Sequence, residues 1–101
     1  MRRIYILLLL IFTITGLTAK DFTVVIDAGH GGKDPGSLAM GGIAGPNEND
    51  INLAVTLATQ QCLEKLGATV YLTRSDDTFL TLEERRSMVT DIKPDLFISQ
   101  H

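Results

Sequence analysis

The 101 residues contain two histidines, His30 and His101, and each follows a short apolar run that reads as a β-strand. The first run is Phe22-Thr23-Val24-Val25-Ile26, closing in Asp27-Ala28-Gly29; the other is Leu96-Phe97-Ile98-Ser99. Uninterrupted β-branched runs of this kind suit a parallel sheet buried on both faces. In open α/β sheets ligands bind at the carboxyl edge, where both histidines then stand. A single histidine there is more often a satisfied surface or core residue, but two of two at one edge shifts that balance toward chemistry. Glu48 is the third candidate. It lies just ahead of a helical pattern whose N-terminus falls at the same edge, and the helix dipole favours a deprotonated carboxylate, the form a metal needs. Asp50 fills the role of a first-turn acid equally well. Two imidazoles and a carboxylate are a donor set used by catalytic zinc, leaving a fourth position open.

Other groups flank these three. Asp27 and Ser99 stand beside the histidines and are candidates to orient them by hydrogen bonds, although ending a strand explains them equally. The stretch Gly29-His30-Gly31-Gly32-Lys33-Asp34-Pro35-Gly36 invites a phosphate-loop reading that its spacing refuses. A Walker loop needs glycine and Ser or Thr where Asp27 and Asp34 stand, and a dinucleotide fingerprint starting at Gly29 fails at Asp34. Its glycines instead suit close backbone approach to a metal and a bulky substrate. Asp76-Asp77 reads as a solvated loop and Arg85-Arg86 as a solvated helix face.

Positioning these residues calls for alternating strands and helices. Ile51, Val55, Ala58, Cys62 and Leu66 recur at helical spacing, widened by Ala54, Leu57 and Leu63, and Gly67 follows where a helix should end. That pattern places Cys62 in the core; as the only cysteine it has no internal disulfide partner. Thr69 to Thr73 reads as the second strand. Thr81-Leu82-Glu83-Glu84 has capping-box spacing at the head of a shorter helix that fades near Asp91, with Pro94 beyond it. The predicted class is α/β, a three-layer α/β/α arrangement on a mostly parallel sheet, of which this chain holds the first β-α-β-α-β portion.

Composition narrows the function. Twelve acidic residues oppose 9 basic ones, and 13 of the apolar residues fall in the first 19 positions. Met1-Arg2-Arg3, the apolar run from Ile4 to Phe12 and the small residues near Ala19 predict a signal peptide over residues 1–19. An uncleaved anchor is the alternative. Either way the remainder lies outside the cytoplasm, in the periplasm or cell envelope, and the membrane is touched only through that segment. Residues 20–101 then carry 7 basic and 12 acidic side chains, which speaks against nucleic acid or anionic lipid as a partner.

The segment from Val24 to Gly36, with its Asp27-Ala28-Gly29-His30-Gly31-Gly32 core, resembles the opening motif of the zinc-dependent N-acetylmuramoyl-L-alanine amidases of the type-3 family. Glu48-Asn49-Asp50-Ile51-Asn52-Leu53-Ala54 looks like the segment supplying that family's ligand glutamate. Asp95-Leu96-Phe97-Ile98-Ser99-Gln100-His101 resembles the motif ending in its third ligand, and Leu72-Thr73-Arg74 and Leu82-Glu83-Glu84-Arg85 fall at familiar spacings. Thr90 and Gln100 depart from the family pattern away from these ligands. The resemblance implies one Zn²⁺ held by His30, Glu48 and His101, with peptidoglycan as substrate and an activator protein as a further partner. It also puts the general-base glutamate beyond residue 101, so residues 20–101 are expected to be the N-terminal portion of a truncated catalytic domain. Such a portion, with two helices covering one sheet face, is expected to be poorly folded and hydrolytically inert. The alternatives are another zinc peptidase or carboxypeptidase on the same scaffold and a non-catalytic wall-binding or vestigial fragment.

Overall fold

A computed structural model describes residues 21–39 and 45–101; the expected signal segment, residues 1–19, lies outside the described residues. Five elements follow one another: β1 (Thr23–Ala28), α1 (Glu48–Lys65), β2 (Thr69–Leu72), α2 (Leu82–Ile92) and β3 (Leu96–Gln100). All strand pairs are parallel and β1 is central, in the order β2-β1-β3. No described helix is long and apolar enough to cross a membrane.

β1 is the buried strand because both of its neighbours are strands and both of its faces carry a helix. Val24, Val25 and Ile26 are 0–1% exposed. The strand runs on through Asp27 to Ala28, pairing them with Ser99 and Gln100 of β3. This extension carries the sheet up to the residue before Gly29 and brings the ends of β1 and β3 level.

The chain order sets the layers. β1 leads to β2 on one side, and the next crossover passes back over β1 to β3 on the other. With right-handed crossovers that reversal puts α1 and α2 on opposite faces. Leu63 of α1 packs with Val24 and Ile26, whereas Arg85 of α2 meets Asp27; residues 24 and 26 face away from residue 27 on a pleated strand. The expectation that the two helices cover a single face is therefore corrected.

α1 is placed as predicted but turned. Ile51, Val55 and Leu66 are exposed, as is Cys62, and the buried positions are Asn49, Asn52 and Thr56 with Leu63 packed on the core. Cys62 is thus a surface residue, contrary to its assignment to the core. The cause lies at the N-terminal turns, where α1 adjoins polar backbone at the end of β1: Asn52 Nδ2 donates to the carbonyl of Gly29 at 3.1 Å. Buried carbonyls need donors, so polar residues win that side of the helix. Gly67 follows the last turn with φ 96°, as a helix-ending glycine should. At α2, Thr81 Oγ1 accepts from the Glu84 amide and Glu84 Oε1 from the Thr81 amide, the predicted reciprocal cap. Lys93, left-handed at φ 52°, ends α2 one residue before Pro94.

Candidate metal centre

Three segments deliver the candidate ligands to the carboxyl edge of the sheet. His30 follows β1, His101 follows β3, and Glu48 is itself the first residue of α1, with Asp50 accepting the Asn47 amide at 3.1 Å in the same turn. The alternatives for the acid are thereby separated in space: Glu48 turns toward the histidines and Asp50 caps the helix. One ligand atom from each of His30, Glu48 and His101 lies within 4.8 Å of the others. Glu48 Oε2 is the hub, 3.1 Å from His30 Nε2 and 3.1 Å from His101 Nδ1. The two imidazole rings stand edge to face, 5.2 Å between centroids.

Hydrogen bonds hold Glu48 and His30 in place. The Ser37 amide donates to Glu48 Oε1 at 3.0 Å and Asn52 Nδ2 approaches Oε2 at 3.4 Å. The Ser37 amide first, then His101 and Asn52, hold the Glu48 carboxyl down at about 2, so it is ionised at any physiological pH. His30 Nδ1 lies 2.8 Å from Asp34 Oδ2, and that contact lowers the Asp34 pKa below its ordinary value. An ionised carboxylate only accepts, so Nδ1 carries a proton and Nε2 is the nitrogen that faces Glu48. Electron-rich atoms converging in this way need cations between them, either protons on the imidazoles or a metal ion. Nitrogen, nitrogen and carboxylate oxygen form a set suited to zinc, and a histidine braced by a carboxylate is the usual support for a ligand. These donors fit the ion.

The backbone around His30 is strained and gripped. His30 has φ 63°, in the left-handed region that costs a non-glycine residue about 1–3 kcal/mol. Arg85 Nη2 donates to the His30 carbonyl at 2.7 Å, and its Nη1 reaches the Ala28 carbonyl at 2.7 Å and Asp27 Oδ1 at 2.6 Å. Arg74 donates to the carbonyls of Ala28, Gly29 and Asn49, each at 3.0 Å. Both arginines are buried. The solvated-face reading of Arg85-Arg86 therefore holds for Arg86 alone, which is exposed. Removing one partner of a buried pair such as Asp27–Arg85 costs about 3–5 kcal/mol.

Asp27 does not orient a histidine: its Oδ1 is taken by Thr73 Oγ1 at 2.7 Å and by Arg85. Ser99 is an exposed residue of β3 that makes no side-chain hydrogen bond among the described residues. The orienting carboxylate is Asp34, inside the glycine-rich loop. Its spacing of four from His30 was available in the sequence, but the tight bridge between Gly31 and Asp34 that folds it back was not. Asp77 is also more than a solvated loop acid, since it accepts from the Gly32 amide at 2.9 Å and Asn49 Nδ2 at 2.8 Å.

Glycine is required where the ligands crowd the loop. A Cβ at Gly29 would stand 2.8 Å from the His101 ring nitrogens, and one at Gly36, with φ 65°, would stand 2.6 Å from both Glu48 Oε1 and His30 Cδ2. Two clefts open beside the ligands. One of about 370 Å³ is bounded by Asp34, Phe79, Leu82 and His101, the other, of about 460 Å³, by Leu38, Pro46, Ile51 and His101.

Fold and site together define a class: a parallel α/β domain with a His-Glu-His candidate metal centre at the carboxyl edge of its sheet. The chain belongs to the N-acetylmuramoyl-L-alanine amidase family, Amidase_3, whose sequence profile matches residues 24–101. It is 48% identical over 79 residues to the uncharacterized protein YqiI of Bacillus subtilis (strain 168), covering 78% of this chain and 36% of YqiI. The catalytic domain of CwlV, an N-acetylmuramoyl-L-alanine amidase from Bacillus (Paenibacillus) polymyxa var. colistinus, superposes with a TM-score of 0.71 at 40% identity. That match covers 77% of this chain and 43% of the CwlV domain. The CwlD amidase of Clostridioides difficile, solved in complex with the GerS lipoprotein, matches at TM-score 0.71 and 34% identity over 77% of this chain and 46% of CwlD. The chain thus spans about a third of its curated relative YqiI and under half of these two structures.

Proposed function

We propose that these residues form the metal-binding portion of a zinc-dependent amidase that hydrolyses the bond between N-acetylmuramic acid and the L-alanine of the peptidoglycan stem. The observation that carries the reading is the convergence of His30, Glu48 and His101 on one point, with Asp34 bracing His30. Membership of the amidase family supports it independently. Zinc held by these three residues would supply a Lewis acid to polarise a carbonyl and to let water ionise near neutral pH.

The chain's own groups do the rest of what lies here. Glu48 brings the negative charge that offsets a dication, and Asp34 keeps the His30 proton on Nδ1. The two clefts beside the ligands leave room for the arms of an amide substrate. In this reading residues 20–101 are the N-terminal portion of the catalytic domain, and the proton-accepting glutamate comes from its later part. The remaining elements of the proposal are an exported protein, residues 1–19 serving as signal, with action in the cell envelope and a protein partner of the kind CwlD has in GerS.

Elemental analysis of the desalted, folded full-length domain tests the centre: about one zinc per wild-type chain and none in His30→Ala, because two remaining ligands hold zinc poorly. Equal zinc in both removes His30 from the site. Zinc-dependent release of stem peptides from peptidoglycan is expected of a chain extended to the length of its relatives. Release by residues 20–101 alone would move the base to a carboxylate already present.

A further inference from the structure

Two buried guanidiniums spend their donors on one short stretch of backbone. The carbonyls of Ala28, Gly29 and His30, consecutive in the chain, each accept from Arg74 or Arg85, and Ala28 accepts from both. Arg74 also reaches the carbonyl of Asn49, the residue after Glu48. The grip therefore spans both ligand-bearing segments, the loop after β1 and the first turn of α1. Its two arms come from elsewhere: Arg74 follows β2 and Arg85 belongs to α2.

Resting on the metal reading above, we infer that Arg85, backed by Arg74, is a positioning residue of the centre. It holds the His30 carbonyl so that the backbone stays left-handed and the imidazole stays over Glu48. Three features support this. His30 is one of two non-glycine residues with positive φ among the described residues, and its carbonyl lies 2.7 Å from Arg85 Nη2. Asp27, 2.6 Å away and as buried as its partner, fixes the guanidinium from below, which leaves the fork only one orientation. A single donor satisfies any one of these carbonyls; a forked donor that reaches two residues apart at once, Ala28 and His30, is what a shaped loop needs. Asp27 thereby acts on His30 through Arg85, two links removed from the imidazole that the sequence suggested it would touch.

The experiment compares, in a chain extended to the length of its relatives, the wild type with Arg85→Lys, Arg85→Met, Arg86→Met and Leu63→Ala. Arg86 is the exposed neighbour, and Leu63 packs on the core face away from Asp27, so Leu63→Ala controls for lost stability. Two readouts are taken: zinc affinity by competition with a chromophoric chelator, and, in metal-free protein, the His30 Cα and Cβ chemical shifts that report left-handed backbone. Arg85→Lys is expected to keep the fold, weaken zinc at least tenfold and lose the left-handed signature. Arg86→Met and Leu63→Ala keep both within twofold of wild type or unshifted. Should Arg85→Met fail to fold, Arg85→Lys decides. Zinc affinity within twofold of wild type in folded Arg85→Lys, with His30 still left-handed, overturns the inference; so does an equal loss in Leu63→Ala. If wild-type protein takes up no zinc, the metal reading fails and the His30 shifts alone decide the role of Arg85.

Discussion

Asp34 Oδ2 sits 2.8 Å from His30 Nδ1 across a four-residue loop, and this contact determines which nitrogen of His30 is free to bind. With the proton held on Nδ1, Nε2 faces Glu48. Replacing Asp34 by Ala frees the ring to rotate and to exchange tautomers. Outer partners of this kind are worth about 10–100-fold in metal affinity, so Asp34→Ala should bind zinc more weakly by about that factor while keeping its far-ultraviolet circular dichroism. Chelator competition measures it, and unchanged affinity would remove Asp34 from the centre.

Glu48 and Asp50 lie two residues apart in the first turn of α1 and do different things. Glu48 Oε2 contacts both histidines, whereas Asp50 accepts the Asn47 amide. Glu48→Gln keeps the shape and removes the charge, so zinc retention should fall with the fold intact. Asp50→Asn should retain zinc and lose only a small cap contribution to stability. Loss of zinc in Asp50→Asn with retention in Glu48→Gln would reverse the assignment.

How much of this was legible beforehand differs by residue. β1 could be read because a parallel strand covered on both faces is apolar throughout, and His30 and His101 were visible because the carboxyl edge follows from strand direction alone. The face of α1 was misread for a physical reason. Its apolar spacing is satisfied by Ile51, Val55 and Cys62, yet the neighbouring end of β1 presents carbonyls that select Asn52 and its polar neighbours. The same demand buries Arg74 and Arg85: their segments fall at familiar spacings, but most of their partners are backbone oxygens, which side-chain type does not reveal. Asp34 was hidden by the loop itself, since a fold-back at Gly31 cannot be read from a run of glycines.

Gly36 tests how tightly the loop is built. Its φ of 65° disfavours any side chain, and a Cβ would meet Glu48 Oε1 and His30 Cδ2, two groups that cannot both yield without opening the centre. Gly36→Ala should therefore lower both the melting temperature and zinc affinity. Gly67→Ala, at φ 96° beyond α1, should lower the melting temperature alone, because it is remote from the ligands. Equal zinc affinity in Gly36→Ala and wild type would show that the loop adapts.

Asp77 ties the loop to α1 from the opposite side and makes that tie depend on pH. Its carboxylate accepts from the Gly32 amide and from Asn49 Nδ2, and these bonds, the Gly32 amide first, lower its pKa from the usual 3.8. A depressed folded-state pKa means that the unfolded chain binds the proton more readily. The contribution to stability is thus fully present above about pH 4 and is lost as pH falls through the lower folded value. Asp77→Asn cannot be protonated in this range. Denaturant midpoints measured from pH 6 down to pH 2.5 should therefore fall less steeply for Asp77→Asn than for wild type, the two curves converging at the acid end. Parallel curves across that range would mean that Asp77 is solvated and that Gly32 is held by its own turn.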